Sequence, residues 1–317
     1  MYLIKDILNF KSKVFKKQGS IITAGVFDGV HYGHQNIIKE VVKESNSKNL
    51  ISAVLTFYPH PLQIITKSAP RLISSLDERI KLLKELGVSK VLLVNFNQEI
   101  ANLSPEDFVS QILIDKLGMK KIWVGEDHTF GIKQRGNIDL LKKMSQKYNF
   151  EVNRVPSLRI DDTIISSSLI RKFIEDGDIK KANQFLNHSF CITGRVIKGS
   201  NRGKEIGYPT ANIYLEKELT IPKEGVYATY IKYKNQYFKS VANIGIRPTF
   251  RENVLTLETH IFDFSKNIYQ ENISVYFIRR IRSEEVFSNK EELVEQIRKD
   301  RLSADKILDK HSVSGIT

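Results

Sequence analysis

The stretch "IITAGVFDGVHYGHQNIIKEVVKE" (Ile21 to Glu44) decides the architecture of the first half of the chain. It opens on a short, β-branched run ending at Gly25, passes Gly29 and Gly33, and closes on the apolar–polar pattern of "QNIIKEVVKE". That order predicts a buried strand, a glycine-bearing turn and a helix beginning around His34. Open α/β sheets bind ligands outside the carboxyl ends of their strands, often at helix N-termini. Glycine at such a turn lets the backbone come close to a phosphate. His31 and His34, three positions apart at a helix start, can face the same way. Two imidazoles so placed can donate hydrogen bonds to charge growing on a phosphoryl group. Two other readings stand beside this one. The pair could be polar helix-start residues facing water, or a zinc pair, although no third ligand lies nearby at suitable spacing.

Working outward, "ISAVLTFY", "VSKVLLVNF", "KKIWVGE" and "FEVNRV" read as further buried strands, being short, β-branched and bounded by turns. Amphipathic helices lie between them. "SLDERIKLLKELG" is capped by Ser75 and closes at Gly87. In "SPEDFVSQILIDKLG", Ser104 caps, Pro105 takes the first helical position, Glu106 and Asp107 face the positive end, and Gly118 stops the helix. Strands alternating with helices imply an α/β domain, a Rossmann-like parallel sheet with helices on both faces. After "DGDIKKANQFLNHSF" the texture changes. From Phe190 to about Ile281, runs such as "GVYATYIKY", "YFKSVANIG", "VLTLETHIF" and "ISVYFIRRI" follow one another with no helical period between them. This predicts an antiparallel barrel or sandwich. A terminal α-helix, "SNKEELVEQIRKDRLSADKIL", closes the chain. The economical division is two domains of different class, residues 1–186 and 187–317.

Composition narrows the partners. At 317 residues, 41% hydrophobic and 27% charged, the chain has room for two ordinary globular cores. Cys191 is the single cysteine, so there is no intrachain disulfide, which fits a reducing cytoplasm; it reads as a small core residue. The first twenty residues hold no continuous apolar block, and no run approaches the roughly 18 residues a membrane span needs. A soluble cytoplasmic protein without a membrane partner is expected. The net charge of +13 raises nucleic acid as a partner. Yet lysines alternate with glutamates, as in "KLLKELG", and no dense basic tract occurs. The charge therefore reads as a solvated surface plus sites for anionic substrates, with no nucleic-acid partner expected. A basic nucleic-acid-binding protein on a nucleotide-binding fold is the alternative from another class.

"GRVIKGSNRGKEIGYPTANI" (Gly194 to Ile213) superficially resembles a P-loop and fails its test. Gly199 and Gly203 are separated by three residues, and Glu205 stands where Ser or Thr would meet magnesium. The loop still offers backbone N–H groups to phosphates.

Taken together, these motifs resemble the bifunctional riboflavin kinase/FAD synthetases. "GVFDGVHYGH" is similar to the HxGH signature of the nucleotidyltransferases, and "TFYPHP", "VGEDHTFGIKQRG" and "ISSSLIR" match that family in order. The resemblance implies that the first domain transfers AMP from ATP to FMN, making FAD and pyrophosphate. Gly25, Phe27, Asp28 and Asp127 would then bind ATP, and His31 and His34 would steady its α-phosphate. Ser167, Ser168 and Arg171 would hold the outgoing phosphates; hydroxyls and a guanidinium at a helix start suit that task. His128 departs from the pattern, standing where the family has an aromatic. For His60, between two prolines, substrate contact and loop rigidity are both open.

In the second domain, "GYPTAN", "PKEGVYA", "VANIGIRPTF", "LETHIFDF" and "IRSEEVF" resemble the riboflavin kinase domain of the same family, which is a barrel. That implies phosphorylation of riboflavin to FMN by ATP with Mg2+. Thr210 and Asn212 would hold the metal, Gly199, Gly203 and Lys204 would bind ATP, and Glu258 would be the catalytic base. A hydroxyl attacking a γ-phosphate needs such a carboxylate, and oxygen donors suit a hard cation. Arg282 and Phe287 would shape the flavin side. His260 should share a face with Glu258 and is given no role. A runner-up is a riboflavin kinase with weak or absent adenylyltransferase activity.

Overall fold

A computed structural model describes residues 2–4, 6–199, 202–248 and 253–311. The chain forms two compact units, Met1–Pro70 with Leu76–Ile165, and Arg71–Ser75 with Ser166–Thr317.

In the first unit six strands form one parallel sheet: β1 (Tyr2–Ile4), β2 (Ser20–Ala24), β3 (Ile51–Tyr58), β4 (Lys90–Asn95), β5 (Met119–Gly125) and β6 (Glu151–Val155). Their spatial order is β1-β4-β3-β2-β5-β6. All five residues of β2 and the first six of β3 are buried, as a sheet covered on both faces requires. From β2 the chain moves to β3 and β4 on one side and returns to β5 on the other. The order therefore reverses at β2, and the crevice beyond its carboxyl end is the switch point where ligands bind. The sequence reading missed the three-residue β1 and a hairpin of β7 (Arg159–Ile160) with β8 (Thr163–Ile164).

The helix after β2 spans Tyr32–Lys48 and begins earlier than expected. The reason is His31, whose Nδ1 accepts the His34 N–H at 3.3 Å and acts as the N-cap. The far end of this helix is tied down by Glu44. Lys121, nearly buried on β5, donates to Glu44 at 2.7 Å and to Glu151 at 3.0 Å, and Trp123 Nε1 donates to Glu44 at 2.9 Å. Burial alone would raise the Glu44 carboxyl, but the donors Lys121, Lys48 and Trp123 prevail and hold it near about 2. Ser104 caps as expected, accepting the Asp107 N–H at 3.0 Å. Its helix then widens to a π-helical stretch over Phe108–Ile114, with Asp115 N bonded to Ser110 O. Gly118 (φ +55) ends it where a Cβ would lie 2.5 Å from the Phe15 carbonyl.

The second unit resolves the barrel-or-sandwich alternative in favour of a barrel. Strands β9 (Cys191–Ile197), β10 (Ala211–Ile213), β11 (Gly225–Tyr233), β12 (Gln236–Pro248), β13 (Asn253–Ile261) and β14 (Asn272–Arg282) close in the order β10-β13-β12-β11-β14-β9. Every pair is antiparallel, and β9 meets β10 to complete the ring. A short helix, Arg202–Glu205, interrupts a region read as strand. The terminal helix Lys290–Leu308 buries Asp300, Ala304 and Leu308 along one face. Tyr230 OH donates to the Leu308 carbonyl at 2.8 Å. Helices Ser167–Glu175 and Ile179–Leu186 pack within this unit as well: Asn183 Nδ2 donates to Phe277 O at 2.8 Å. Cys191 is buried, as its apolar setting suggested.

Candidate active sites

At the carboxyl end of β2 the backbone turns sharply. Phe27 (φ 54), Gly29 (φ 73) and Val30 (φ 40) all take left-handed conformations, which cost energy in the two that are not glycine. The surroundings hold the turn. Val26 O accepts from Thr56 Oγ1 at 3.0 Å and from Arg79 Nη1 at 2.8 Å, and Gln35 Nε2 donates to Val30 O at 2.9 Å.

On this turn the rings of His31 and His34 stack, with centroids 3.5 Å apart and planes 16° from parallel. Phe27 meets His34 edge-on at 5.1 Å. Burial first, then the neighbouring His31 and Arg79, push the His34 imidazole well below its usual range, so it is neutral. The acceptor role of His31 Nδ1 places the proton of its neutral ring on Nε2. Gly33 keeps the pair close, since a Cβ there would sit 3.2 Å from His31 Cε1. Gly25, Phe27, Asp28, His31 and His34 are thus gathered at one strand end. Asp28 is buried (2% exposed) and electrostatically coupled to Arg79, which is 1% exposed.

Asp127 is exposed in the turn after β5, where His128 N donates to Gly125 O at 3.3 Å. His128 stacks on Phe130 at 5.7 Å and 26°, and burial pushes its pKa down to about 4. A neutral, stacked imidazole thus fills the place of an aromatic ring. His60 Nδ1 accepts the Leu62 N–H at 3.2 Å and caps the helix Pro61–Ile65, which gives it a local structural part. In "ISSSLIR" the cap is Ser166, accepting from Leu169 N at 3.3 Å; Ser167 and Ser168 occupy the first helical turn, and Arg171 Nη1 lies 3.4 Å from Ser168 Oγ. These residues belong to the second compact unit.

In the barrel, β10 and β13 pair so that Asn212 faces Glu258, and β12 places Asn243 opposite Glu258 on its other side. Thr210 Oγ1 donates to Glu258 Oε2 at 3.4 Å. Gly199 lies against Asn212, where a Cβ would stand 2.2 Å from Nδ2, and Gly203 packs on the Tyr208 carbonyl. The Lys204 side chain lies outside the described residues. A cavity of about 320 Å³ opens beside Glu258, lined also by Thr210 and Gly203 and by the apolar Phe287, Leu293 and Ile297. His260 lines it too, as strand alternation predicts; its Nδ1–H donates to Pro209 O at 2.9 Å, and burial lowers its pKa. Arg282 grips Asp300 through Nε at 2.9 Å and Nη2 at 2.8 Å, and its guanidinium stands 5.9 Å from the Phe287 ring. Its donors therefore serve the terminal helix first.

The sequence reading did not single out Arg79 or Asp300. The signal was there: Arg79 shares the buried face of its helix with Leu82 and Leu83, and Asp300 shares one with Ala304 and Leu308.

An FAD synthetase family model matches residues 14–169, and a riboflavin kinase model matches residues 186–308. A bifunctional riboflavin kinase/FMN adenylyltransferase from Buchnera aphidicola subsp. Schizaphis graminum is 39% identical, over 95% of this chain and 96% of its own. The chain belongs to that bifunctional family. The Escherichia coli K12 bifunctional riboflavin kinase/FMN adenylyltransferase is 35% identical over 96% of this chain and 97% of its own. A solved structure described as a macrolide-efflux protein from Streptococcus pneumoniae matches with a TM-score of 0.86 and 30% identity, over 96% of this chain and 98% of its own. Among the described residues no helix is long and apolar enough to cross a membrane. The bifunctional kinase/adenylyltransferase thus carries its two family domains on an α/β unit and a barrel unit.

Proposed function

We propose that riboflavin is phosphorylated at the barrel cavity and that the resulting FMN is adenylylated at the histidine turn. The observation that carries the first assignment is that Thr210, just before β10, donates to Glu258 on β13 where both line the cavity, with Asn212 the strand partner of Glu258. Glu258 takes the proton from the attacking riboflavin hydroxyl as its oxygen bonds to the γ-phosphorus of ATP and the bond to the β,γ-bridging oxygen breaks, releasing ADP. Phe287 walls the flavin side, and Arg282, held by Asp300, keeps the strand end and the terminal helix together. The donor set fits magnesium: Thr210 supplies a hydroxyl and Asn212 an amide oxygen, both hard ligands. The ion would neutralise triphosphate charge there. Gly199, Gly203 and Lys204 bind ATP through the loop that precedes "GYPTAN".

At the second step the FMN phosphate attacks the α-phosphate of ATP and pyrophosphate leaves. His31 donates from Nε2 to the charge that develops, and His34 stands stacked beside it. Gly25, Phe27, Asp28 and Asp127 bind ATP, and Ser167, Ser168 and Arg171 hold phosphates. Adenylyl transfer is assigned to residues 1–186 and the kinase to residues 187–317, in the cytoplasm.

The test is a chromatographic assay with riboflavin, ATP and magnesium. Glu258→Gln should block FMN formation while FMN supplied directly still becomes FAD. Normal riboflavin phosphorylation by that variant would remove Glu258 as the base.

A further inference from the structure

Among the described residues lining the barrel cavity, Glu258, Glu284, Glu285 and Asp300 bring carboxylates and Arg282 alone brings a cation. That cation is committed. Asp300, 4% exposed, takes Nε and Nη2, and the Ser283 carbonyl takes Nη1 at 2.8 Å. Gln296 Nε2 donates to Asp300 Oδ1 at 2.9 Å and fixes the carboxylate in place. Glu285 comes no nearer to Arg282 than 3.9 Å. Glu284 is seated: Asn243 Nδ2 donates to its Oε1 at 3.0 Å, and a Cβ on Gly245 would lie 2.0 Å from that oxygen. Asn243 is the strand partner of Glu258, so Glu284 stands beside the proposed base.

The consequence is electrostatic. Riboflavin is uncharged and meets apolar walls. A phosphate formed on the hydroxyl that Glu258 activates lies among carboxylates in a partly desolvated space, where like charges repel strongly. We propose that Glu284 and Glu285 are specificity determinants of this cavity, which admits the uncharged flavin and excludes the phosphorylated one because Asp300 cancels the charge of Arg282. The proposal rests on placing riboflavin phosphorylation here. It makes FMN a poor occupant once the nucleotide and its cation have left, freeing it for adenylylation.

The test uses the full chain and two flavins that cannot be phosphorylated, neutral 5′-deoxyriboflavin and anionic riboflavin 5′-sulfate, as inhibitors of riboflavin phosphorylation. The sulfate should inhibit at least about tenfold more weakly than the deoxy compound, as expected for like charges at partly screened distances. Glu284→Gln with Glu285→Gln should narrow that ratio about fivefold, and each single change by less. Asp300→Asn, which uncovers Arg282, should narrow it in the same direction, as should raised ionic strength. An unchanged ratio in these variants, or equal weakening of both inhibitors, overturns the charge argument. Glu258→Gln runs alongside: if it phosphorylates riboflavin normally, the assignment of the cavity falls instead.

Discussion

His31 has two parts that different substitutions separate. Its Nδ1 caps the helix, which leaves the proton of its neutral ring on Nε2. His31→Ala should cost about 1 kcal/mol of stability, as lost caps do. It should also lower FMN adenylylation by about 10²- to 10³-fold, the usual loss for one transition-state donor. Asn at this position keeps a capping acceptor without the imidazole Nε2–H, so it should restore the melting midpoint and not the rate. His128 gives a second residue-scale prediction. Its pKa is about 4 in the folded chain against an ordinary 6.5, so between those values the unfolded chain binds more protons. Stability is therefore full above 6.5 and falls as the pH drops toward 4, by up to about 3 kcal/mol from this group. His34 and His260, also lowered, add to the slope with the same sign. Melting midpoints across that window should show a shallower slope in His128→Phe. The same variant should retain FMN adenylylation, because a ring stacked on Phe130 is what the position holds.

At the scale of elements, the histidine turn depends on a helix anchored at its opposite end. Lys121 bridges Glu44 on that helix and Glu151 on β6. Lys121→Ala removes the buried cation while Lys48 still pairs with Glu44 and Glu151, and should cost about 1 to 2 kcal/mol in chemical denaturation. Elements of this kind were legible in unequal measure. Strands β2 and β3 declared themselves through short, largely apolar runs with β-branched residues, which a doubly covered sheet demands. Strand β1, only three residues long, has too little pattern to read. The start of the helix at Tyr32 was hidden because histidine seldom serves as a cap. Arg79 and Asp300 look like solvent-facing charges until helical period sets them on buried faces.

For the whole molecule, the change of texture near residue 187 announced two fold classes, and the structure bears both out. Closure of the barrel was implied by the family resemblance and was not legible in the strand pattern, since barrel and sandwich differ only in the long-range pairing of β9 with β10. Nor was the packing of helices Ser167–Glu175 and Ile179–Leu186 in the barrel unit, which rests on side chains such as Asn183. The site residues stood out as motifs, while the partners that hold them, Asn243 opposite Glu258 and Asp300 against Arg282, come from strands and helices distant in sequence. Two chemically distinct sites on one chain should be separable by point substitution. The most direct measurement follows riboflavin, FMN and FAD by chromatography in two variants, Glu258→Gln and His34→Ala. Reciprocal loss is predicted: the first variant stalls at riboflavin yet converts added FMN to FAD, and the second accumulates FMN. A substitution that depresses both steps equally, or neither, would contradict the account.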